Sequence, residues 1–592
     1  MHRVLGDRRA VAILLGPALL VYTLVMLVPI GWSLGYSFTK GNSITGFSWA
    51  GFANFQRLAD DPAVHDALWF TVKYAAVVTV GQVAAGYALA LLYTFYLKKA
   101  SALVRTLVFF PVVLPTVAVG LLFQKLFQVA PQTGPVNSLL ELVSLHSVDW
   151  FGSAGSSFWV LILMDVWRSM GFYAVLLFAG LVDIPDEVLE SARLDGASGL
   201  RLIRHIVLPL SFPVLMSSAI FSINGTLKVF DSIVALTNGG PGSGTTPDPL
   251  HVPDVLHLRR VRLRQHHRGP ADGAVPAGDP GRLPRLAARS HEGLSRHVRR
   301  HAAAHRTRPR RPQGRPAPPP LRGLWAKVLI ALLVVVEVYP LLWMFLTSVK
   351  SNDDYLNHST WSLPTHWQWG NYAEAWTTGH IGLYLRNSLL AVVPSLALVL
   401  LMGAAAGFAL QIMVWKGRSL TLLVFLAGVM VPSQMILLPL FTVYFRTGLS
   451  GTLWPLILTY TGTGLPLTVF MMATYYKSVP RELFEAATID GAGILRMFWT
   501  ISLPMVRNAI LTVGLVQFFF IWNDLLVALT FTNSQDLRTV QVGLLNFTGD
   551  FGATQYGPLF AAICLNVFGT LAIYLFLNQK VMKGLTGGAV KG

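Results

Sequence analysis

The sequence predicts an all-α integral membrane protein built from two tandem, related halves. Three observations carry this. The 592-residue chain is 53% hydrophobic and only 12% charged. It holds repeated apolar runs of about 20 residues or more, the length that crosses a bilayer as helix. One charged loop occurs twice: residues 185–209 read PDEVLESARLDGASGLRLIRHIVLP, and residues 480–504 read PRELFEAATIDGAGILRMFWTISLP.

Hydropathy places five spans in the first half, near 11–36, 68–95, 103–126, 158–182 and 208–236. The second half has six, near 325–348, 385–412, 419–445, 453–475, 505–530 and 558–579. The first run follows a basic start, is too long for a signal-peptide core and precedes no small-residue cleavage site, so it reads as a span. Arg3, Arg8, Arg9, Lys98, Lys99, Arg105, Arg193, Arg201 and Arg204 mark one side of the first half; Asp60, Asp61 and Asp66 mark the other. Lys327, Lys416, Arg418, Lys477, Arg481, Lys580, Lys583 and Lys591 do the same in the second half. The positive-inside rule then puts both repeated loops in the cytoplasm. Shorter matches keep the order: Ala84–Leu89 with Ala405–Leu410, and Val234–Thr237 with Val527–Thr530.

The chain divides into residues 1–246, a stretch 247–323, and residues 324–592. The net charge of +18 sits mostly in the middle: residues 247–322 carry 17 Arg, no Lys and five acids. That stretch is too charged to cross a bilayer. Yet five spans that start inside end outside, and the second half starts inside, so one crossing is missing. Arg, Pro, Ala, Gly and His without Lys or aromatics is what a GC-rich gene gives in the wrong frame. A frame offset by one base permits T-L-Y-M-Y-R-T-S-F-T-F-G-E-Y-G-Y-G-S-T-I-A from Asp248 to Arg268. It permits A-L-L-T-G-L and further apolar residues through Pro280. That would be an outer loop followed by the lost sixth span. A disordered basic linker is the other reading. The gene sequence across codons 240–325 separates them.

In the repeated loop, Pro185 and Pro480 suit a helix start, and Glu187, Glu190, Glu482 and Glu485 favour its positive end. Ala192, Ala486 and Ala487 are small enough for a partner surface to approach closely; Ser191 stands where the second copy has alanine. Asp195-Gly196-Ala197 and Asp490-Gly491-Ala492 suit a sharp turn that ends each short helix. The turn is followed by Ile206-x-Leu208-Pro209 or Ile501-x-Leu503-Pro504.

Polar residues inside spans are costly in lipid and are candidates for a solute path. These are Asp165, Trp167 and Arg168 in the fourth span, Asn224, Lys228 and Asp231 in the fifth, and Trp522, Asn523 and Asp524 in the matching region of the second half. Glu337 lies in the second half's first span. Ion pairs that merely hold helices together are the competing reading. One cysteine excludes a disulfide framework or a cysteine-rich metal site. The eight histidines of 247–322 lack ligand spacing, so no metal is expected, and the Arg run is not read as a nucleic-acid site. No G-x-x-x-x-G-K-(S/T) loop is present to cradle phosphate.

The loop pattern E-(A/S)-A-x3-G-x9-I-x-L-P resembles the coupling motif of permeases of ATP-binding-cassette (ABC) importers. Both halves resemble the carbohydrate-uptake, maltose-type group over about residues 10–246 and 324–592. Thr237–Gly242 resembles the outer loop of the first subunit of such pairs, and Gly584–Gly592 the tail of the second. The resemblance implies a non-enzymatic transport component in a bacterial plasma membrane, surrounded by lipid, with no cofactor of its own. It implies two copies of a cytoplasmic ABC ATPase that bind ATP and dock on the two loops, an extracytoplasmic solute-binding protein, and a sugar or related polyol as solute. An ion-coupled secondary transporter is the alternative.

Overall fold

A computed structural model describes residues 5–42, 46–97, 101–227, 229–237, 320–550 and 555–589. The frame-offset stretch and Lys228 therefore lie outside the described residues. The first half opens with α1 (Arg8–Ser37), then a hairpin of β1 (Thr39–Asn42) and β2 (Gly46–Trp49), and α2 (Ala53–Asp60). It continues with α3 (Pro62–Phe95), α4 (Ser101–Val113), α5 (Thr116–Leu126), α6 (Pro135–Leu142) and α7 (Ala154–Val182). The repeated loop supplies α8 (Asp186–Leu194), followed by α9 (Leu200–Thr226) and α10 (Asp231–Thr237).

The second half runs α11 (Pro320–Ser348), α12 (Asn352–Asn357), α13 (Gly370–Thr377), α14 (Ile381–Gln411), α15 (Arg418–Met430), α16 (Gln434–Arg446) and α17 (Trp454–Tyr476). Its copy of the loop is α18 (Glu482–Ile489), then α19 (Ile494–Met505), α20 (Arg507–Trp522), α21 (Leu526–Phe531), α22 (Val540–Asp550) and α23 (Tyr556–Ala589). Among the described residues, eight helices are long and apolar enough to cross a membrane, and three bent pairs bring the total to 11. This is the expected five plus six.

Two expected straight spans are bent instead. The α4/α5 pair turns through 101° and α15/α16 through 97°. Each bend falls at a proline, Pro115 or Pro432, which disfavours helical geometry in the residue before it. The fifth span is also interrupted, between Thr226 and Asp231 and between Trp522 and Leu526. Both copies enter that span through a π-helical turn, Ile203–Val207 and Phe498–Ser502. The following Pro209 and Pro504 lack the N–H that would close an ordinary helical turn.

The halves exchange their first spans. α1 packs on α14 and α17 of the second half. Tyr22 donates its hydroxyl to the Val424 carbonyl at 2.9 Å and packs its ring on Phe425, centroids 4.8 Å apart. In return α11 packs against α4, and the Trp167 indole donates to the Val336 carbonyl at 3.3 Å. Gln128 donates to the Tyr355 hydroxyl across the same seam at 2.5 Å.

Within each half, the second and fourth spans pack closely through glycine. A Cβ on Gly86 would lie 2.6 Å from the Tyr173 Cβ and 2.9 Å from its carbonyl carbon. In the second half a Cβ on Gly407 would lie 2.8 Å from the Met472 Cβ and 3.2 Å from its carbonyl carbon, and one on Gly403 would meet the Thr468 side chain. Gly86→Leu is expected to destabilise the bundle by about 1–3 kcal/mol, because backbone must move to admit the side chain. Thermal unfolding of the purified protein in detergent measures this.

The loop after α11 is held by a buried carboxylate. Burial alone would push the Asp354 carboxyl up, but the Thr365 hydroxyl, His358, and the Thr365 and Ser351 backbone hold it below its ordinary value. A depressed folded-state value stabilises above the unfolded value, and the contribution is lost as pH falls through the folded one. Acidification is therefore expected to loosen α12 before the membrane core. Hydrogen exchange at its amides, compared between neutral and strongly acidic pH, reads this out.

Candidate functional site: a polar seam and two repeated short helices

The two short helices α8 and α18 stand at equivalent places and end alike. The Ala197 amide donates to the Ala192 carbonyl at 2.9 Å, and the Ala492 amide to the Ala487 carbonyl at 2.9 Å. Gly196 (φ 83°) and Gly491 (φ 77°) take the left-handed conformation inside that closing loop. This is the glycine C-cap, which explains the two Asp-Gly pairs.

Ala192 and Ala487 depart from the expectation that they admit a partner. Both are buried against their own bundle. Their small size lets each short helix pack closely on its own bundle, beside the buried Leu189 in one copy and Phe484 in the other. Phe484 packs on Phe408 with ring centroids 5.7 Å apart. The small side chains facing outward are Ser191 and Ala486; Glu190 is exposed and Glu485 half-buried. Asp195 and Asp490 are exposed, and Ala197 and Ala492 are half-buried.

Sequence reading missed the most exposed apolar pair on these helices. Leu194 is 89% exposed and Ile489 is 86% exposed. They are equivalent residues, each directly before the Asp-Gly turn. A large aliphatic is thus left in water at the same point of both copies. The repeat offset, together with the polar surroundings of each residue, was the signal available.

In the membrane, several predicted path residues converge. The Asp165 carboxylate accepts hydrogen bonds from Tyr74 and from Ser232 at 2.8 Å, and lies 3.7 Å from an Arg168 nitrogen. Arg168 also donates to the Thr116 hydroxyl at the α4/α5 bend. Ser232 adjoins Asp231, which lies within electrostatic reach of Asp524 and of the Leu525 backbone of the other half. The next residue back is Asp524. It accepts from Tyr460 at 2.9 Å and from the Val527 and Ala528 amides at 3.0 and 3.2 Å.

A polar seam thus runs Tyr74–Asp165–Ser232/Asp231–Leu525/Asp524–Tyr460 across the two halves, where both fifth spans are broken. Tyr460 stands at the repeat position of Asp165, so the duplication itself could have found it. Nothing in the sequence singled out Tyr74.

Other candidates have different placements. Trp167 faces the helix interface with α11 and is not brought to the seam. Asn224 is half-buried one turn before the first break. Trp522 stacks on Phe518, its carbonyl accepting from Gln541 at 3.1 Å. The Trp522 indole nitrogen and Asn523 Oδ1 are buried without a hydrogen-bond partner among the described residues. Glu337 is buried with both oxygens likewise unpartnered there. Among the described residues no group of three or more His, Cys, Asp or Glu could hold a metal ion.

Span breaks that meet at a polar seam between two duplicated bundles suit a protein that passes a solute, not one that reacts with it. The class is a membrane transport permease. More particularly, the chain belongs to the binding-protein-dependent transport system inner membrane component family, whose pattern matches residues 82–249 and 399–581. It is accordingly a multi-pass protein of the bacterial inner membrane. It is 36% identical over 264 residues to the diacetylchitobiose uptake system permease protein NgcG of Streptomyces coelicolor, covering 44% of this chain and 87% of that one. It is 29% identical over 266 residues to the melibiose/raffinose/stachyose import permease protein MelC of Bacillus subtilis, covering 45% and 95%. Among solved structures, it resembles a bacterial alginate ABC transporter in complex with an alginate pentasaccharide-bound periplasmic protein. That match is 23% identical and covers 42% of this chain and 83% of the other, with a TM-score of 0.35.

Proposed function

We propose that the chain is the translocation path of a bacterial ABC importer for a sugar or related polyol, with residues 1–246 and 324–592 as its two permease domains. The observation that carries this reading is the pair of matched handles. Each presents an exposed Leu194 or Ile489 beside acidic and small residues, on a short helix pinned to its own bundle. A cytoplasmic ATPase dimer docks one subunit on each handle and binds the ATP. Closure of the dimer swings α8 and α18, and the π-helical turns that follow carry the motion into the broken fifth spans. An extracytoplasmic solute-binding protein delivers the solute. At the seam, Asp165, Arg168, Asp231 and Asp524 offer charged and hydrogen-bonding groups suited to hydroxyls, with Trp522 and Asn523 alongside; Lys228 remains a candidate from the sequence alone. The names of the relatives support a carbohydrate.

Reconstitution in vesicles with the ATPase tests this. ATP-dependent uptake of a labelled oligosaccharide, lost without the ATPase, is the expected result. Uptake that persists without the ATPase but collapses with the proton gradient would instead identify an ion-coupled secondary transporter.

A further inference from the structure

The outer end of α11 borders a small cavity, none of whose lining residues belongs to the polar seam. One wall is a face of α11 that carries Tyr339, Leu342, Trp343 and Leu346, with Lys350 just beyond the helix end. The other wall is the turn Thr360–Ser362. The Trp343 indole donates to the Thr360 carbonyl at 3.2 Å, which ties the turn to the helix. Trp361 lies against Tyr339, ring centroids 5.4 Å apart.

The cavity holds more donors than acceptors. Lys350 is 2% exposed; among the described residues its ammonium makes one hydrogen bond, to the Ser362 hydroxyl at 3.3 Å, and no ion pair. That hydroxyl donates in turn to the Ser359 carbonyl at 2.7 Å. The ammonium has further protons to give. The hydroxyls of Thr360 and Tyr339 are buried without a partner among the described residues. Asp354 is the charged neighbour that acts on Lys350, yet its oxygens are engaged by His358 and Thr365. Buried polar groups are almost always satisfied, and a buried cation needs an acceptor with negative charge. The cavity measures about 50 Å³. At about 10–15 Å³ for each water-sized group, that admits one phosphate with its oxygens and not a sugar ring.

We propose that this cavity binds the phosphate of an anionic phospholipid of the outer leaflet. Its level in the membrane favours a lipid. Lys327 marks the inner end of α11, so the cavity lies at the outer interface, where Trp and Tyr collect at the headgroups and where Tyr339, Trp343 and Trp361 stand here. Leu342, on the cavity wall, is 51% exposed. Val338 and Val335, four and seven residues earlier on the same helix face, are exposed as well. An acyl chain can follow that stripe toward the bilayer centre while its headgroup occupies the cavity. The Lys350 charge selects a headgroup without an amine of its own, such as phosphatidylglycerol. The lipid then braces the outer end of α11, the span that packs on α4 of the first half. The proposal concerns the lipid contact and not the solute, so failure of the uptake assay leaves it standing.

The test places the full chain in nanodiscs of phosphatidylcholine. These are doped with phosphatidylglycerol that carries a diazirine at the head end of one acyl chain, and crosslinks are read peptide by peptide. Saturable labelling is expected in the peptides that contain Leu342 and Trp361, displaced by unlabelled phosphatidylglycerol. Lys350→Met should weaken the binding about tenfold or more, the scale of a lost hydrogen bond to a charged group. Thr360→Val with Tyr339→Phe keeps shape and charge and should weaken it several-fold, so the proposal does not depend on folding of the Lys350 variant. Melting temperatures in lipid-free detergent check the fold of both variants. The proposal is overturned if both variants label like the wild type, or if a phosphatidylcholine probe labels these peptides equally well. Displacement by inorganic phosphate as readily as by the lipid would overturn it too, by making the occupant a free anion.

Discussion

Replacing Leu194 and Ile489 together by aspartate is expected to abolish ATP-driven uptake and ATPase co-purification while leaving the membrane bundle intact. Both side chains project into water and make no contribution to the core, so the folded permease should tolerate the change; its melting temperature is the control. Docking is another matter. A leucine-sized side chain moved from water into an apolar pocket contributes roughly 1.5–3 kcal/mol. Two handles engaged by one ATPase dimer act together, so loss at both removes the avidity as well as the contacts. Either single variant is expected to weaken the complex, and the double variant to eliminate it. A partner pull-down across a dilution series distinguishes these outcomes. Wild-type affinity in the double variant would mean that the handles bind elsewhere on their surface, with Glu190 and Glu485 as the next residues to test.

The contrast between these handles and the seam shows what a lone sequence carries. Spans, halves and repeated loops were legible because lipid imposes long apolar runs and because the gene says each thing twice. The turn at Asp195-Gly196 was legible because only a few residues favour a left-handed backbone. Interior and exterior of a short helix were not: Ala192 and Ala487 look like contact residues in a motif, yet packing turns them inward and leaves Leu194 and Ile489 outside. The bends at Pro115 and Pro432 were hidden by uniform hydropathy on both sides of each break. Trp167 shares a helix with Asp165, but a rotation of two residues sends it to α11 and not to the seam. Tyr74 is a tyrosine like others in the spans, and only the three-dimensional approach of α3 to α7 gives it a carboxylate.

Asp165→Ala is expected to destabilise the permease by about 3–5 kcal/mol, the range for removing one partner of a buried ion pair. The carboxylate serves three donors at once: Tyr74, Ser232 and Arg168. Its loss leaves two hydroxyls and a cation without their acceptor, in surroundings where water cannot substitute freely. Arg168 is itself partly open, its side chain 26% exposed, which places the effect toward the lower end of that range. Asp165→Leu combined with Arg168→Met removes both charges and fills the space, so thermal stability should recover in part, with the Tyr74 and Ser232 hydroxyls still lacking their acceptor. Uptake separates the two roles of the pair. If Asp165 and Arg168 only fasten helices, the stabilised double variant transports at the wild-type rate. The position of Asp165 on a chain of groups that reaches Asp231, Leu525 and Asp524 of the opposite half argues for the other result: a stable protein that binds its ATPase and does not carry solute. Melting curves and uptake measured on the same preparations decide between them.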